Sequence, residues 1–150
     1  MTAAAGSSFF ADTNLLLYAV DHRDPLKQRL ARAWLTALWD QGGGRLSWQV
    51  INEFYVNASG KIGAPLPQLR ASIETYSWWQ PIGFTLPLLQ RSWHWMDRAG
   101  VPYWDSLIVA AAEAAGCSFL LSEDFQEGRK FGALTVVNPF RSSPADFGLA

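Results

Sequence analysis

The amino-acid sequence predicts a three-layer α/β domain with a central, mainly parallel sheet. Short apolar segments at residues 9–11, 118–121 and 134–137 are typical of buried strands, and they alternate with longer segments whose apolar residues recur at helical spacing. Such alternation favours parallel strands with helices on both faces of the sheet. The chain has 150 residues, of which 49% are apolar and 17% charged, and this composition excludes a disordered chain or a coiled coil. We expect one domain over residues 1–150, with its core at about 9–140 and an irregular C-terminal tail.

Polar caps and glycines mark the predicted boundaries in the first half of the chain. Asp24 before Pro25 is a typical helix start, and the three glycines at 42–44 end that helix. A shorter helix is expected earlier, capped by Thr13 and Asn14. The elements predicted here are a strand at 9–11, a helix at 15–20, a longer helix from 25 to the glycines, a brief strand at 45–47 and a helix at 48–59.

In the second half, two helices end at glycines and two strands follow them. The predicted elements are helices at 65–79, 85–99 and 103–115, a short strand within 80–84, and strands at 118–121 and 134–137. Acidic residues follow two of the apolar strands, Asp12 in the first half and Asp124 in the second. If those two strands are parallel neighbours, both carboxylates lie at the carboxyl edge of the sheet, where α/β proteins usually place their functional site.

Charge and rare residues restrict the classes of function. A formal net charge of -1 is unlike that of a typical nucleic-acid-binding domain, which is clearly basic. With one cysteine and two histidines, the chain has no internal disulfide and lacks the usual ligands of a zinc site. We expect a protein of the reducing cytoplasm, with no signal peptide and no membrane-spanning segment. Among the eight tryptophans, the adjacent Trp78 and Trp79 cannot both face inward on one helix, so one is expected at a partner surface.

Four acidic residues each have an ordinary structural explanation when taken alone. Asp12 can cap the following helix, and Asp124 can be a turn residue after a strand. Asp105 lies in a first helical turn, where a carboxylate favours the helix dipole, although it shares a face with apolar residues such as Ile108. Glu53 can lie on a solvated polar face. Brought together, such carboxylates repel one another and require a hard cation such as Mg²⁺ or Mn²⁺.

The segments around these acids resemble the PIN-domain ribonucleases, and within them the VapC-type toxins of bacterial toxin–antitoxin pairs. The resemblance spans about residues 9–140, and the order and spacing of its segments make the combination specific. The segments that carry it are Phe10-Ala11-Asp12-Thr13-Asn14, Asn52-Glu53-Phe54, Trp104-Asp105-Ser106-Leu107-Ile108-Val109-Ala110-Ala111-Ala112 and Leu121-Ser122-Glu123-Asp124-Phe125.

The resemblance implies a single α/β/α PIN domain that hydrolyses RNA phosphodiesters with Mg²⁺ or Mn²⁺. The family's acidic quartet corresponds to Asp12, Glu53, Asp105 and Asp124, of which the three aspartates would hold one or two ions. Glu53 would ligate a second ion or orient the attacking water. The resemblance also implies a cytoplasmic toxin that forms a homodimer and is inhibited by a cognate antitoxin protein.

Secondary roles are expected for residues near the quartet. Ser122 corresponds to the hydroxyl residue that precedes the last acid in the family, and Asn14 matches an asparagine that often follows the first. Both would position carboxylates or a phosphate. Arg129 and Lys130 follow the Asp124 loop closely and are the predicted phosphate contacts. With four acids assigned to a metal site, the remaining chain has 12 basic and 9 acidic residues, a net +3 that no longer excludes RNA.

Three other functions stay open at this point. A noncatalytic PIN-like module that binds RNA or protein would be expected to lack at least one acid of the quartet, and all four are present. A phosphatase with an aspartyl nucleophile usually has a second aspartate two residues after the first, where this chain has Asn14. A serine or cysteine hydrolase is disfavoured because no Gly-x-Ser-x-Gly motif is present.

Overall fold

A computed structural model describes residues 6–149 and contains a five-stranded sheet flanked by six α-helices. The strands are β1 Phe9–Ala11, β2 Gly44–Arg45, β3 Phe119–Leu121, β4 Lys130–Phe131 and β5 Leu134–Val137. The helices are α1 Thr13–Val20, α2 Pro25–Gln41, α3 Trp48–Asn57, α4 Leu66–Tyr76, α5 Leu86–Ala99 and α6 Tyr103–Ala114. This confirms the predicted three-layer α/β class.

The sheet has the order β2-β1-β3-β5-β4, and only β4 runs antiparallel to its neighbour. Phe9 pairs with Phe119 and Ala11 with Leu121, so β1 and β3 end at the same level. The predicted parallel pairing of these two strands is therefore correct. The residues that follow Ala11 and Leu121 consequently emerge side by side at the carboxyl edge of the sheet.

An aromatic cluster forms much of the core under the sheet. The rings of Phe9 and Phe119 are stacked with centroids 5.0 Å apart, and the Phe147 ring meets Phe119 edge-on at 5.1 Å. Trp34 is fully buried, and its Nε1 donates a hydrogen bond to the Pro139 carbonyl at 2.9 Å. The C-terminal segment thus closes the core through Phe147, which ends the 3₁₀ turn Pro144–Phe147.

Several predicted boundaries differ from the structure. The cap of α1 is Asp12, not Thr13 or Asn14, because its carboxylate accepts from the Thr13 backbone N–H. The helix predicted at 48–59 continues past α3 as the π-helical turn Ala58–Ile62, and the one predicted at 65–79 ends in the 3₁₀ turn Ser77–Trp79. The segment 80–84 contributes only one bridge, between Ile82 and Ser47, and strand β4 was not predicted.

The end of α4 exposes one tryptophan and buries its neighbour, as the helical geometry predicts. The side chain of Trp78 is 81% exposed, whereas Trp79 is 8% exposed. Trp79 packs so closely on Gly44 that a Cβ at that position would lie 2.5 Å from the indole ring. Only glycine therefore allows this contact between β2 and the 3₁₀ turn.

No helix among residues 6–149 combines the length and the apolar character that crossing a bilayer requires.

Candidate active site

Asp12 lies at the carboxyl end of β1, and both of its carboxylate oxygens accept hydrogen bonds from the protein. Oδ1 accepts from the Thr13 backbone N–H at 2.7 Å and Oδ2 accepts from the Ser122 hydroxyl at 2.6 Å. Burial is the main cause that raises the pKa of Asp12 to about 7. The two hydrogen bonds lower this pKa, and the nearby charges of Asp124 and Glu53 raise it further. Asp12 is thus both a helix cap and a carboxylate held in a low-dielectric site.

Ser122 and Asn14 connect Asp12 to Asp124. The Ser122 hydroxyl donates to Asp12 and accepts from the Asp124 backbone N–H at 3.1 Å. The Asn14 Nδ2 donates to the Asp124 Oδ2 at 3.1 Å, and Ser122 and Asn14 are both buried. The structure therefore places both residues where they orient carboxylates, which is the placement that the sequence predicts for them.

Glu53 reaches the same region from α3. The Thr13 hydroxyl donates to the Glu53 Oε1 at 3.3 Å, so the start of α1 also holds this side chain. Glu53 is half-buried, and its pKa is raised first by burial and then by repulsion from Asp105 and Asp124. Glu53 therefore does not lie on a solvated polar face, which was the ordinary structural explanation for it.

Asp105 and the exposed Asp124 complete the group. Asp105 lies in the first turn of α6, and its pKa is raised by burial and by the charge of Asp124. Asp124, on the loop after β3, is close enough to repel all three other carboxylates. Asp124, which faces solvent, thus lies within range of the charges of the other three predicted acids and links them into one region.

The donor set of this acidic cluster (Asp12, Glu53, Asp105 and Asp124) suits a hard cation. Its ligand atoms are oxygens. Burial, and to a smaller extent repulsion between the carboxylates, raises the pKa values of Asp12, Glu53 and Asp105, and a divalent cation would relieve that repulsion. The Asn14 Oδ1 beside Asp124 is buried without a hydrogen-bond partner among the described residues. Within residues 6–149, however, no three His, Cys, Asp or Glu side chains already stand in an arrangement that could hold a metal ion.

Arg129 and Lys130 make their side-chain hydrogen bonds to residues outside the acidic cluster. Strand β4 turns back so that Lys130 pairs with Thr135, toward the amino ends of the parallel strands. The Arg129 guanidinium donates to the Ala99 carbonyl at 2.9 Å, and the Lys130 ammonium donates to the Thr135 hydroxyl at 3.1 Å. Their predicted contact with phosphate has no support from this placement.

Sequence reasoning missed basic residues that do lie near the cluster. The Lys27 ammonium is 2.7 Å from the Glu123 carboxylate, next to Asp124. Arg23 and Lys61 line a cleft of about 230 Å³ that also includes Asn14. No local pattern could have revealed these neighbours, because Lys27 and Glu123 are 96 positions apart.

Comparison with known families agrees with this geometry. The family model described as the PIN domain matches residues 9–127, a stretch that contains all four acids and both Ser122 and Asn14. The chain belongs to the PIN-domain family. PIN domains are generally a fold of metal-dependent nucleases, so the nuclease class of the predicted function agrees with the match. No curated protein matches the chain, and the family match does not single out the VapC-type toxins.

Proposed function

We propose that this PIN-domain protein is a Mg²⁺- or Mn²⁺-dependent endoribonuclease whose acidic cluster holds the metal. The observation that carries the proposal is the convergence of four carboxylates whose charges repel one another at the carboxyl edge of the sheet. Three of them have pKa values raised by burial and by neighbouring carboxylates, a pattern that is common at functional sites. This is the chemistry that a metal-dependent nuclease requires.

The residues around the cluster have separate tasks in this proposal. Asp12 and Asp124 would be the central ligands, kept in place by the Ser122 hydroxyl and the Asn14 amide. Asp105 would complete the set from α6. Glu53 would ligate a second ion or orient the attacking water, and its raised pKa suits it to accept a proton. When bound, the cation would lower the pKa of water and offset the charge on the phosphodiester.

We further propose that the protein is the toxin of a toxin–antitoxin pair and acts in the cytoplasm as a homodimer. The support is its sequence resemblance to VapC-type toxins together with exposed tryptophans, among them Trp78 and Trp39, that a partner could cover. Expressed alone, the protein should arrest growth, and co-expression of the product of a neighbouring small reading frame should relieve the arrest. If the protein cleaves RNA in vitro but cells that express it strongly grow normally, the toxin role is contradicted.

The noncatalytic alternative and the phosphatase alternative have less support. All four acids are present and converge, whereas a module that had lost catalysis would be expected to lack one of them. Asn14 occupies the position where the phosphatase reaction needs a second aspartate, and its amide is engaged with Asp124.

Cleavage of total RNA with Mg²⁺, with Mn²⁺ and with EDTA tests the proposed reaction. We expect fragments in either metal and none in EDTA. Asp12→Asn should abolish cleavage, and Asp97→Asn should not, because Asp97 is an exposed residue of α5 outside the cluster. Metal-dependent cleavage that persists in Asp12→Asn would rule out the assignment.

A further inference from the structure

An aromatic cleft adjoins the acidic cluster on the Glu53 side. It has a volume of about 360 Å³, within the range of small-molecule sites, and is lined by Gln49, Asn52, Glu53, Phe84 and Trp104. The side chains of Trp104 and Phe84 are 62% and 56% exposed, although both are large and apolar. Glu53 belongs to both the cleft and the cluster, and Trp104 directly precedes Asp105. A ligand in this cleft would therefore lie next to the reacting phosphate.

Gln49, which lines the same cleft, has an unused hydrogen-bond acceptor. The side chain is 7% exposed, and its Nε2 donates to the Trp104 backbone carbonyl at 3.1 Å, with the Glu53 carboxylate as a second neighbour. These contacts fix the orientation of the amide and leave Oε1 buried without a partner among the described residues. A buried acceptor without a donor is unfavourable, so the site is suited to a ligand that brings an N–H group.

We propose that the aromatic cleft is a subsite for one unpaired RNA base, next to the phosphodiester that is cleaved. The base stacks on Trp104 and Phe84, and an N–H on its edge donates to the Gln49 Oε1. This inference rests on the proposed ribonuclease function and names the part of the substrate that the site reads. Trp104 and Gln49 are then binding residues for the base, separate from the carboxylates that hold the metal.

The lining of the cleft favours a base over the other parts of an RNA strand. It contains no lysine or arginine, and Glu53 would repel a phosphate placed there. Aromatic faces stack on unpaired bases of any sequence, which is how proteins commonly hold single-stranded RNA. Every natural base also carries an N–H donor on its pairing edge, so each could satisfy Gln49. The main competing occupant of such an aromatic surface is a second copy of this chain, and the test below distinguishes the two.

The test compares RNA oligonucleotides with and without a base at each position flanking the cleavage point. In single-turnover cleavage with Mg²⁺, Trp104→Ala should be slower than wild type by roughly 5- to 100-fold at subsaturating RNA, the range expected for one stacking contact. Trp104→Phe, which keeps an aromatic face, should stay within about threefold of wild type. The loss should appear chiefly in KM, because the carboxylates are unchanged. Trp93→Ala is the matched control, since Trp93 is an exposed tryptophan on α5 outside the cleft.

The abasic substrate separates base binding from a structural effect. When the base at the relevant position is missing, Trp104→Ala and wild type should cleave at the same rate. An equal loss on both substrates would mean that Trp104 acts by positioning Asp105, and it would overturn the proposal. A fall in sedimentation mass of Trp104→Ala, with activity restored at high protein concentration, would instead assign the cleft to a second copy of the chain and also overturn it.

The contribution of Gln49 is tested by changing the base that would occupy the cleft. Unsubstituted purine stacks as adenine does but lacks an N–H on its pairing edge. Wild type should prefer the adenine-containing oligonucleotide over the purine-containing one, and Gln49→Leu should remove that preference. An unchanged preference in Gln49→Leu would show that the amide does not read the base. If the wild type shows no metal-dependent cleavage, the proposed function itself is contradicted. Binding of the same oligonucleotides in Ca²⁺, measured by fluorescence anisotropy, would then still show whether Trp104 contacts the base.

Discussion

Two clefts flank the acidic cluster, and they differ in the kind of chemistry they offer. The aromatic cleft on the Glu53 side has exposed rings and amides but no basic residue. The polar cleft on the Asn14 side, lined in part by Tyr18, Arg23, Asn57 and Lys61, has cations and no tryptophan. An RNA strand that crosses the cluster would meet a surface for a base on one side and a surface for its backbone on the other.

The cations of the polar cleft are partly neutralised. Arg23 is paired with Asp21 at 2.8 Å, and Lys27 at the same rim is paired with Glu123 at 2.7 Å. The two sides thus differ in a second respect. The aromatic cleft has an unsatisfied acceptor, whereas the polar cleft has most of its charges already in ion pairs, so its attraction for phosphate should be modest and sensitive to salt.

The largest effect should come from the cluster between the clefts. Asp124→Asn should reduce metal-dependent RNA cleavage by at least about 100-fold, because it removes the carboxylate whose charge interacts with all three others. Far-UV circular dichroism should be unchanged, since Asp124 is exposed. Measured beside Asp97→Asn, a loss of less than about tenfold would place catalysis outside the cluster.

Stability without metal should distinguish the cluster from both clefts. The pKa of Asp12 is raised from 3.8 to about 7 in the folded protein, so the folded state binds this proton more tightly than the unfolded state. The free energy of unfolding therefore falls as pH rises from about 4 to about 7. Asp12→Asn removes this penalty and should raise Tm by several degrees at pH 8 in EDTA.

The same comparison at low pH provides the control for Asp12. At about pH 4, where Asp12 of the wild type is protonated in the folded state, the difference in Tm between Asp12→Asn and wild type should largely vanish. The Asn side chain can still accept from the Thr13 N–H and can donate to Ser122, so its cap contact is kept. A lower Tm for Asp12→Asn at pH 8 would show that the carboxylate stabilises the metal-free fold.

Salt dependence of RNA binding should separate the polar cleft from the aromatic cleft. Lys61→Ala should weaken binding a few-fold and reduce the slope of log affinity against log salt by about one or less, as expected for one lost phosphate contact. Trp104→Ala should weaken binding without a change in slope. Anisotropy titrations of a single-stranded oligonucleotide between low and high salt measure both. Equal slopes in Lys61→Ala and wild type would remove the backbone role of the polar cleft.

The smallest effect should come from the ion pair at the rim. Glu123→Gln frees the Lys27 ammonium, which should strengthen RNA binding by about threefold or less, because ion pairs that solvent reaches are weak. The same titration at low salt measures it. Weaker binding by Glu123→Gln would mean that the pair orients Lys27 rather than competing with the phosphate.

The features that could be predicted from the sequence are those that depend on strand order and on local sequence pattern. Asp12 and Asp124 were expected together because each follows an apolar strand, and the register of β1 and β3 bears out that closeness. Ser122 and Asn14 were expected beside them through the family resemblance. Their hydrogen bonds to the carboxylates agree with that expectation.

The features that the sequence did not predict depend on tertiary packing. The aromatic cleft joins Gln49, Phe84 and Trp104 from segments far apart in the chain. The spacing of apolar residues along the sequence does not indicate that these side chains lie together. Proximity in sequence was misleading for Lys130, because the chain after Asp124 reverses into β4 and carries that side chain toward the opposite edge of the sheet. Neighbours in sequence are therefore poor guides to the site wherever the chain turns back.

Calorimetric titration of the metal-free protein with Mn²⁺ tests the central claim most directly. The four converging carboxylates predict saturable binding of one or two ions to wild type and to Trp104→Ala, and its loss in Asp124→Asn. Wild-type binding that Asp124→Asn leaves unchanged would contradict the account.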